Sequence, residues 1–187
     1  IETDVESKLQ EEVEDGWGAA MLYRVIDDHD DLPRHAFHLQ LIADPSRPIQ
    51  EGNHIFCSVS ADDEPLVPGT RTMTVSTHIP SDKVSDDGEY FSGVQDKMRA
   101  TLAALAPEVA SPVVLEMTAS PRTFARFVGR PRGFVGGIPK TSTSHLFRFR
   151  PTQPMSQLYL VGDSVFPGQS TLATAISGIL AAEHALT

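Results

Sequence analysis

Near the end of this 187-residue chain, a short apolar run over residues 158–161 leads into Gly162-Asp163. A Pro167-Gly168 turn follows, and then a stretch rich in Ala, Ser and Gly. A carboxylate at the end of a strand accepts hydrogen bonds from sugar or polyol hydroxyls. The glycine before it lets the backbone come close to a ligand. Ser170 or Thr171 can cap the helix that starts there. Its first N–H groups and the positive end of its dipole would then face an anion. The arrangement suits a polar, partly anionic cofactor. Ala173, Ala175, Ser177 and Gly178 keep this helix thin enough for close packing, and Leu172, Ile176, Ile179 and Leu180 are its expected core face. An ordinary strand and helix of an α/β domain fits the same local pattern equally well.

The rest of the chain must position that segment. Residues 19–26, 37–42, 55–60, 73–79 and 113–117 are short, β-branched or alternating, and bounded by Pro, Gly, Asn or Asp, which predicts strands. Strands in succession with turns between them favour antiparallel pairing. Val94, Met98, Leu102 and Leu105 recur at helical spacing and predict a helix over residues 96–105, stopped by Pro107. Residues 2–14 read as a charged surface helix with Val5, Leu9 and Val13 on one stripe, broken at Gly16-Trp17-Gly18. Residues 121–154, rich in Arg, Gly and Pro, read as loop. The expected fold class is α+β: a mainly antiparallel sheet with helices, then a final strand and helix of α/β type.

Composition narrows the function. The formal net charge is −10, which argues against a nucleic-acid partner, because phosphate backbones need clustered cations. The single cysteine, Cys57, sits in an apolar run and is expected in the core, without a disulfide partner. No stretch approaches the roughly 20 apolar residues of a membrane span. A cytoplasmic setting is the default expectation, with peripheral membrane contact open. His29, His35 and His38 lie among Asp27, Asp28, Asp30 and Asp31 without firm zinc spacing, so a solvated acidic loop is expected and no metal site. Ser164 follows Gly162-Asp163, but no G-x-S-x-G elbow exists for a serine esterase. Arg122, Arg126, Arg130, Arg132, Lys140, Arg148 and Arg150 form a basic cluster suited to a cofactor, an anionic lipid or salt bridges to the acidic loops. Phe124, Phe127, Phe134, Phe147 and Phe149 beside them could line a channel for an apolar ligand or sit in the core, and the core is the favoured expectation.

Val161-Gly162-Asp163-Ser164-Val165-Phe166-Pro167-Gly168-Gln169, followed by a small-residue helix with Ser177-Gly178, resembles the C-terminal signature of FAD-dependent carotenoid desaturases and isomerases. That is the phytoene dehydrogenase-like family. A second stretch resembles the run that precedes the family's final strand. It consists of Ser120-Pro121-Arg122-Thr123-Phe124-Ala125-Arg126-Phe127, then Gly129-Arg130-Pro131-Arg132-Gly133 and Val135-Gly136-Gly137. The two lie in the family's order. Many family members carry Gly where this chain has Ser170.

The resemblance implies an oxidoreductase of carotenoid biosynthesis, a flavoprotein with non-covalent FAD and a long, lipophilic polyene substrate. In that family a hydride passes between substrate carbon and flavin to desaturate the polyene, and an isomerase branch uses reduced flavin without net oxidation. By position it implies Gly162, Asp163, Gly168, Ser170, Thr171 and Leu172 as cofactor-binding residues, with the loop 132–137 near the flavin ring. It names no catalytic side chain. The family's G-x-G-x-x-G phosphate loop is absent from these 187 residues. The expectation is therefore the C-terminal portion of a longer protein. Residues 1–155 would be the substrate-binding portion, and 156–187 the last strand and helix of a Rossmann-like FAD domain. Its partner would be the missing N-terminal FAD-binding region, and the fragment alone would bind FAD weakly or not at all. The alternative is a stand-alone, non-catalytic domain that binds an apolar ligand or a partner protein.

Overall fold

The computed structural model describes residues 16–85, 87–110, 112–137 and 157–186. The expected helix over residues 2–14, and Lys140, Phe147, Arg148, Phe149 and Arg150, lie outside them. The chain forms two compact units, residues 17–134 in one and residues 1–16 with 135–187 in the other.

In the first unit five strands form one sheet: β1 (Trp17–Asp27), β2 (Phe37–Ile42), β3 (His54–Val59), β4 (Thr70–Pro80) and β5 (Val113–Ala119). Their order is β2-β3-β4-β1-β5, and every pairing is antiparallel. The five strands expected between residues 19 and 117 are all present, and the α+β class with an antiparallel sheet is borne out. β1 starts two residues before the predicted residue 19, with Trp17 and Gly18 as its first residues. Gly18 is glycine for room: a Cβ there would stand 2.7 Å from Pro121 Cγ.

Register selects the buried face. Leu22 of β1 lies opposite Val75 of β4, which lies opposite Cys57 of β3, and all three are fully buried. Period-2 alternation carries Ala20, Ile26, Ile55, Val59, Met73 and Ile79 to the same side. Burial pushes the Cys57 thiol up to about 11, so it stays a protonated core group.

Helix α1 (Gly88–Leu105) covers that face with Phe91, Val94, Gln95, Met98, Thr101 and Leu102. It starts two turns before the predicted residue 96. Asp87 accepts hydrogen bonds from the Glu89 and Tyr90 amides at 3.0 and 3.1 Å, which caps it. Gly88 and Gly93 masked those turns in the sequence, because glycine is a poor helix former. Pro107 does end α1, and it also begins a short helix α2 (Pro107–Ala110), a place where its missing N–H costs nothing.

The stretch 121–154 is not all loop. Pro121–Val128 is a helix, α3, with Ser120 in extended conformation at its N-cap and Pro121 at its first position. Thr123 Oγ1 accepts a hydrogen bond from the Ser120 amide at 3.2 Å. Gly129 closes the helix at φ 71°, a left-handed C-terminal stop that favours glycine. At Gly133, φ 67°, an added Cβ would fall 1.8 Å from the Pro121 carbonyl oxygen. Only glycine lets the Pro131–Gly133 turn pack against the start of α3.

Buried Arg24 and half-buried Arg99 organise the β5 side of the sheet. Arg24 projects from β1 onto Glu116 of β5, and Arg99 of α1 grips the same carboxylate at 2.6 Å. Burial raises the Glu116 pKa, but hydrogen bonds from Arg99 and Arg24 outweigh it and hold the carboxyl below its ordinary value. A depressed folded pKa means stability that is present above the unfolded value and lost as pH falls through the folded one. Glu116→Gln should therefore cost about 1–2 kcal/mol at neutral pH. The gap to wild type should close as the solution is acidified below about pH 4. Urea unfolding at several pH values checks this.

Candidate cofactor site

The second unit carries the Gly162-Asp163 segment. Leu158 makes only a single bridge, and residues 159–161 lie in no strand among the described residues. A strand exists only where neighbours complete its ladder, and no described strand pairs here. The turn and the helix are present. Helix α4 (Thr171–Leu186) begins where expected. Ser170, not Thr171, is its cap: Ser170 Oγ accepts a hydrogen bond from the Ala173 amide at 3.1 Å, and its carbonyl accepts from Thr174 N at 2.9 Å. The amides of Thr171 and Leu172, the first two of the helix, have no intrahelical acceptor and sit on exposed residues.

The buried face of α4 differs from expectation. Ser177 and Ala181 are buried, whereas Leu172 and Ile179 are 71% and 57% exposed. Ile176 and Leu180 are half-buried, so only Leu172 and Ile179 of the expected core face turn outward, and the most buried positions carry small side chains. Ser177 explains part of this, since its Oγ accepts a hydrogen bond from the Gly162 amide at 3.1 Å and so fixes the residue before Asp163. Tyr159 donates to the His184 carbonyl at 3.1 Å, tying the apolar run to the end of the same helix.

Backbone geometry marks three of the six expected cofactor residues. Gly162 has φ 122° and Gly168 φ 108°, and both need glycine for conformation. Among the described residues other than its chain neighbours, no atom lies within 4 Å of where a Gly162 Cβ would stand. Gly168, by contrast, is buried and acts by shaping the turn. Ser170 holds φ 122°, a region that L side chains rarely adopt. It stands where many relatives carry Gly, and the conformation is the glycine one. Ser170→Gly should raise the melting temperature of this unit. Relief of roughly 1–2 kcal/mol of backbone strain exceeds the few tenths lost when a Ser cap becomes Gly. Ser170→Ala should lower it, since the strain stays and the cap goes.

The segment after Phe134 joins this site. Gly137 has φ 72°, and a Cβ on it would lie 2.6 Å from the Asp163 carbonyl oxygen and 3.2 Å from its Cγ. Gln169 donates from Nε2 to the Gly136 carbonyl. The Val135-Gly136-Gly137 end of one motif thus packs against the Gly162–Gln169 motif. Val165, 2% exposed, anchors the turn between Asp163 and Gly168. Nothing in one motif's sequence gave this contact. The signal was two glycines in a row at Gly136-Gly137, where a close backbone approach needs them.

The fit to a cofactor such as FAD is favourable on one side. Asp163, whose Oδ1 accepts from Ser164 Oγ at 3.3 Å, supplies a carboxylate, and the α4 N-terminus supplies the Thr171 and Leu172 amides in the same unit. The other expected groups have separate roles. Arg132 donates to the Ser81 carbonyl at 2.7 Å and lies over the Phe134 ring at 5.1 Å. Arg126 lies over Phe127, which is 76% exposed and not core. Phe134 is buried as expected. His29 donates to the Glu108 carbonyl at 2.9 Å, and His38 shares a hydrogen bond with Ser58 Oγ at 2.9 Å.

No family model matches the chain. Over 81 residues the chain is 37% identical to the chloroplastic prolycopene isomerase of Arabidopsis thaliana, a span of 43% of this chain and 14% of that protein. The identity and the share of this chain are the same for the chloroplastic prolycopene isomerase 2 of an Oncidium hybrid cultivar, and again 14% of that protein is covered. The chloroplastic prolycopene isomerase of Daucus carota matches equally, over 13% of its length. The chain thus spans a small part of the relatives it matches. Its resemblance to the carotenoid desaturase and isomerase family is borne out over those 81 residues by its similarity to prolycopene isomerases.

Proposed function

We propose that this chain is the C-terminal portion of an FAD-dependent oxidoreductase that isomerises or desaturates a carotenoid-like polyene. The observation that carries the reading is the packing of Gly137 against Asp163. It joins the two motifs that resemble the family, in the unit that also offers the α4 N-terminus. Similarity to prolycopene isomerases supports the isomerase branch. In this reading residues 1–155 are the substrate-binding portion and 156–187 the strand–helix end of the FAD-binding domain, with residues 135–137 reaching into it.

FAD, when bound, supplies the redox chemistry, and the protein supplies position and electrostatics. Asp163 would accept hydrogen bonds from the ribityl or ribose hydroxyls. Gly162, at φ 122°, sets the backbone that leads into that carboxylate, and its amide donates to Ser177 Oγ. The amides of Thr171 and Leu172, with the α4 dipole, would favour negative charge at the ring's N1 and C2 carbonyl. Gly168 and Ser170 shape the turn that aims them.

The outer face of the sheet supplies an apolar surface for a polyene. Alternation places Leu115 and Met117 of β5 outward, 50% and 59% exposed, opposite Val25 and Tyr23 of β1. We assign polyene contact to this strip. We assign peripheral membrane contact to Phe127 and Val128 on α3, 76% and 61% exposed with Arg126 beside them. Among the described residues no helix is long and apolar enough to cross a membrane.

The test is turnover. The gene product that carries this chain, supplied with FAD, a reductant and a poly-cis carotenoid in detergent or liposomes, should yield isomers with more trans bonds, or more desaturated products, resolved by chromatography. If neither forms while the polyene is still bound, the stand-alone binding domain is the better account.

A further inference from the structure

A cavity of about 260 Å³ lies in the first unit where the start of α1, the end of β5 and the start of α3 meet. Among the described residues its lining holds one cation, Arg122, and no carboxylate. In a chain of net charge −10 that is unusual. Residues 117–162 contain seven Lys and Arg and no Asp or Glu, so Arg122 belongs to a stretch from which acids are excluded. It makes no ion pair or hydrogen bond among the described residues, and it is the only one of the four α3-region arginines to line this cavity.

The remaining lining is rich in hydrogen-bond donors. Ser85 Oγ accepts from the Asp87 amide at 3.3 Å, and Thr123 Oγ1 accepts from the Ser120 amide at 3.2 Å. A hydroxyl that already accepts turns its proton elsewhere, and both line the cavity. Ser92 and Thr118 add two more hydroxyls. Gln95, 8% exposed, forms the floor, its amide fixed by donation to the Ala119 carbonyl at 3.3 Å. Two described acids next to the lining are committed: Asp87 to the α1 cap and Glu116 to Arg24 and Arg99.

We propose that this cavity binds an oxyanion of the phosphate class, held by the Arg122 guanidinium and the surrounding hydroxyls. A planar guanidinium with several hydroxyl donors matches the oxygens of a phosphate monoester, and the volume admits the phosphate with a small part of whatever carries it. The site is independent of the flavin reading, because all its residues lie in the first unit. The phosphate is either free in solution or the headgroup of a lipid.

Thermal unfolding of the chain in sodium phosphate, against sodium chloride of equal ionic strength, tests it. At about ten times the dissociation constant, phosphate should raise the melting temperature of wild type by roughly 3–6 °C. Arg122→Gln should abolish the shift, Arg122→Lys should keep part of it, and Ser92→Ala, which leaves the charge in place, should reduce it. Flotation with phosphatidylcholine vesicles, with and without phosphatidic acid, is the second arm. Arg122-dependent flotation on phosphatidic acid without a shift in free phosphate assigns the site to a lipid headgroup. A shift in free phosphate assigns it to a soluble ligand. The proposal is overturned if wild type responds in neither arm, or if Arg122→Gln and Ser92→Ala both respond as wild type does.

Discussion

Arg71→Ala should destabilise the sheet unit by about 3 kcal/mol or more, read as a lower urea midpoint at unchanged slope. Arg71 is 1% exposed, on β4. It donates from Nε to Asp28 Oδ1 at 2.7 Å, and from one terminal nitrogen to the carbonyls of Pro33 and Ser60 at 2.6 and 3.2 Å. One guanidinium thus holds the β1–β2 loop and the end of β3. Its loss strands two carbonyls and one carboxylate and opens a cavity the length of the side chain. Asp28 keeps 28% of its side chain exposed, so water recovers part of that loss and the estimate stays near the lower end for broken buried pairs. Arg71→Lys should recover only some of it, because an ammonium cannot reproduce the guanidinium's fork geometry.

Gly137→Val should disrupt the candidate cofactor site without unfolding the sheet. The positive φ alone costs a β-branched residue about 1–3 kcal/mol. The Cβ would also stand 2.6 Å from the Asp163 carbonyl oxygen, closer than packed atoms come, and the obstacle is backbone rather than a flexible side-chain end. Asp163 or the Gly136-Gly137 turn must shift. The expected result is loss of bound flavin from the gene product, with the urea midpoint of the sheet unit unchanged. Gly162→Ala should act in the same direction and more weakly, since φ 122° strains it but no described residue other than its chain neighbours lies within 4 Å of the new methyl.

The strands were legible because alternation and turn residues are local signals. Residues 37–42 are bounded as predicted, and β1, β3, β4 and β5 differ at their ends. Helix α3 carried its own signals, Ser120-Pro121 at the start and Gly129 at the stop, but the Arg and Pro around them read as loop. The outward turn of Leu172 and Ile179 on α4 was not legible. Its large residues favour burial on any local measure, and only the Ser177 bond to Gly162 shows that the thin side is the packed one. Gly162 and Asp163 stood out from residue type, and the contact that makes them part of a site did not. It joins positions 26 residues apart, and it is visible only as a missing Cβ at Gly137. The strain at Ser170 is likewise a dihedral, foreshadowed only by the glycine that the resemblance placed there.

The central claim is that Gly162-Asp163 is one side of a flavin site. The most direct measurement is the flavin content of the purified gene product that carries this chain, wild type against Asp163→Ala, from the visible absorbance of the bound cofactor. Loss of a charged hydrogen-bond acceptor should weaken FAD roughly ten- to a hundredfold. Wild type should then retain FAD through gel filtration and Asp163→Ala should lose most of it, with the circular dichroism of the two unchanged. Equal flavin in both, or no flavin in wild type under FAD-replete conditions, would contradict the account.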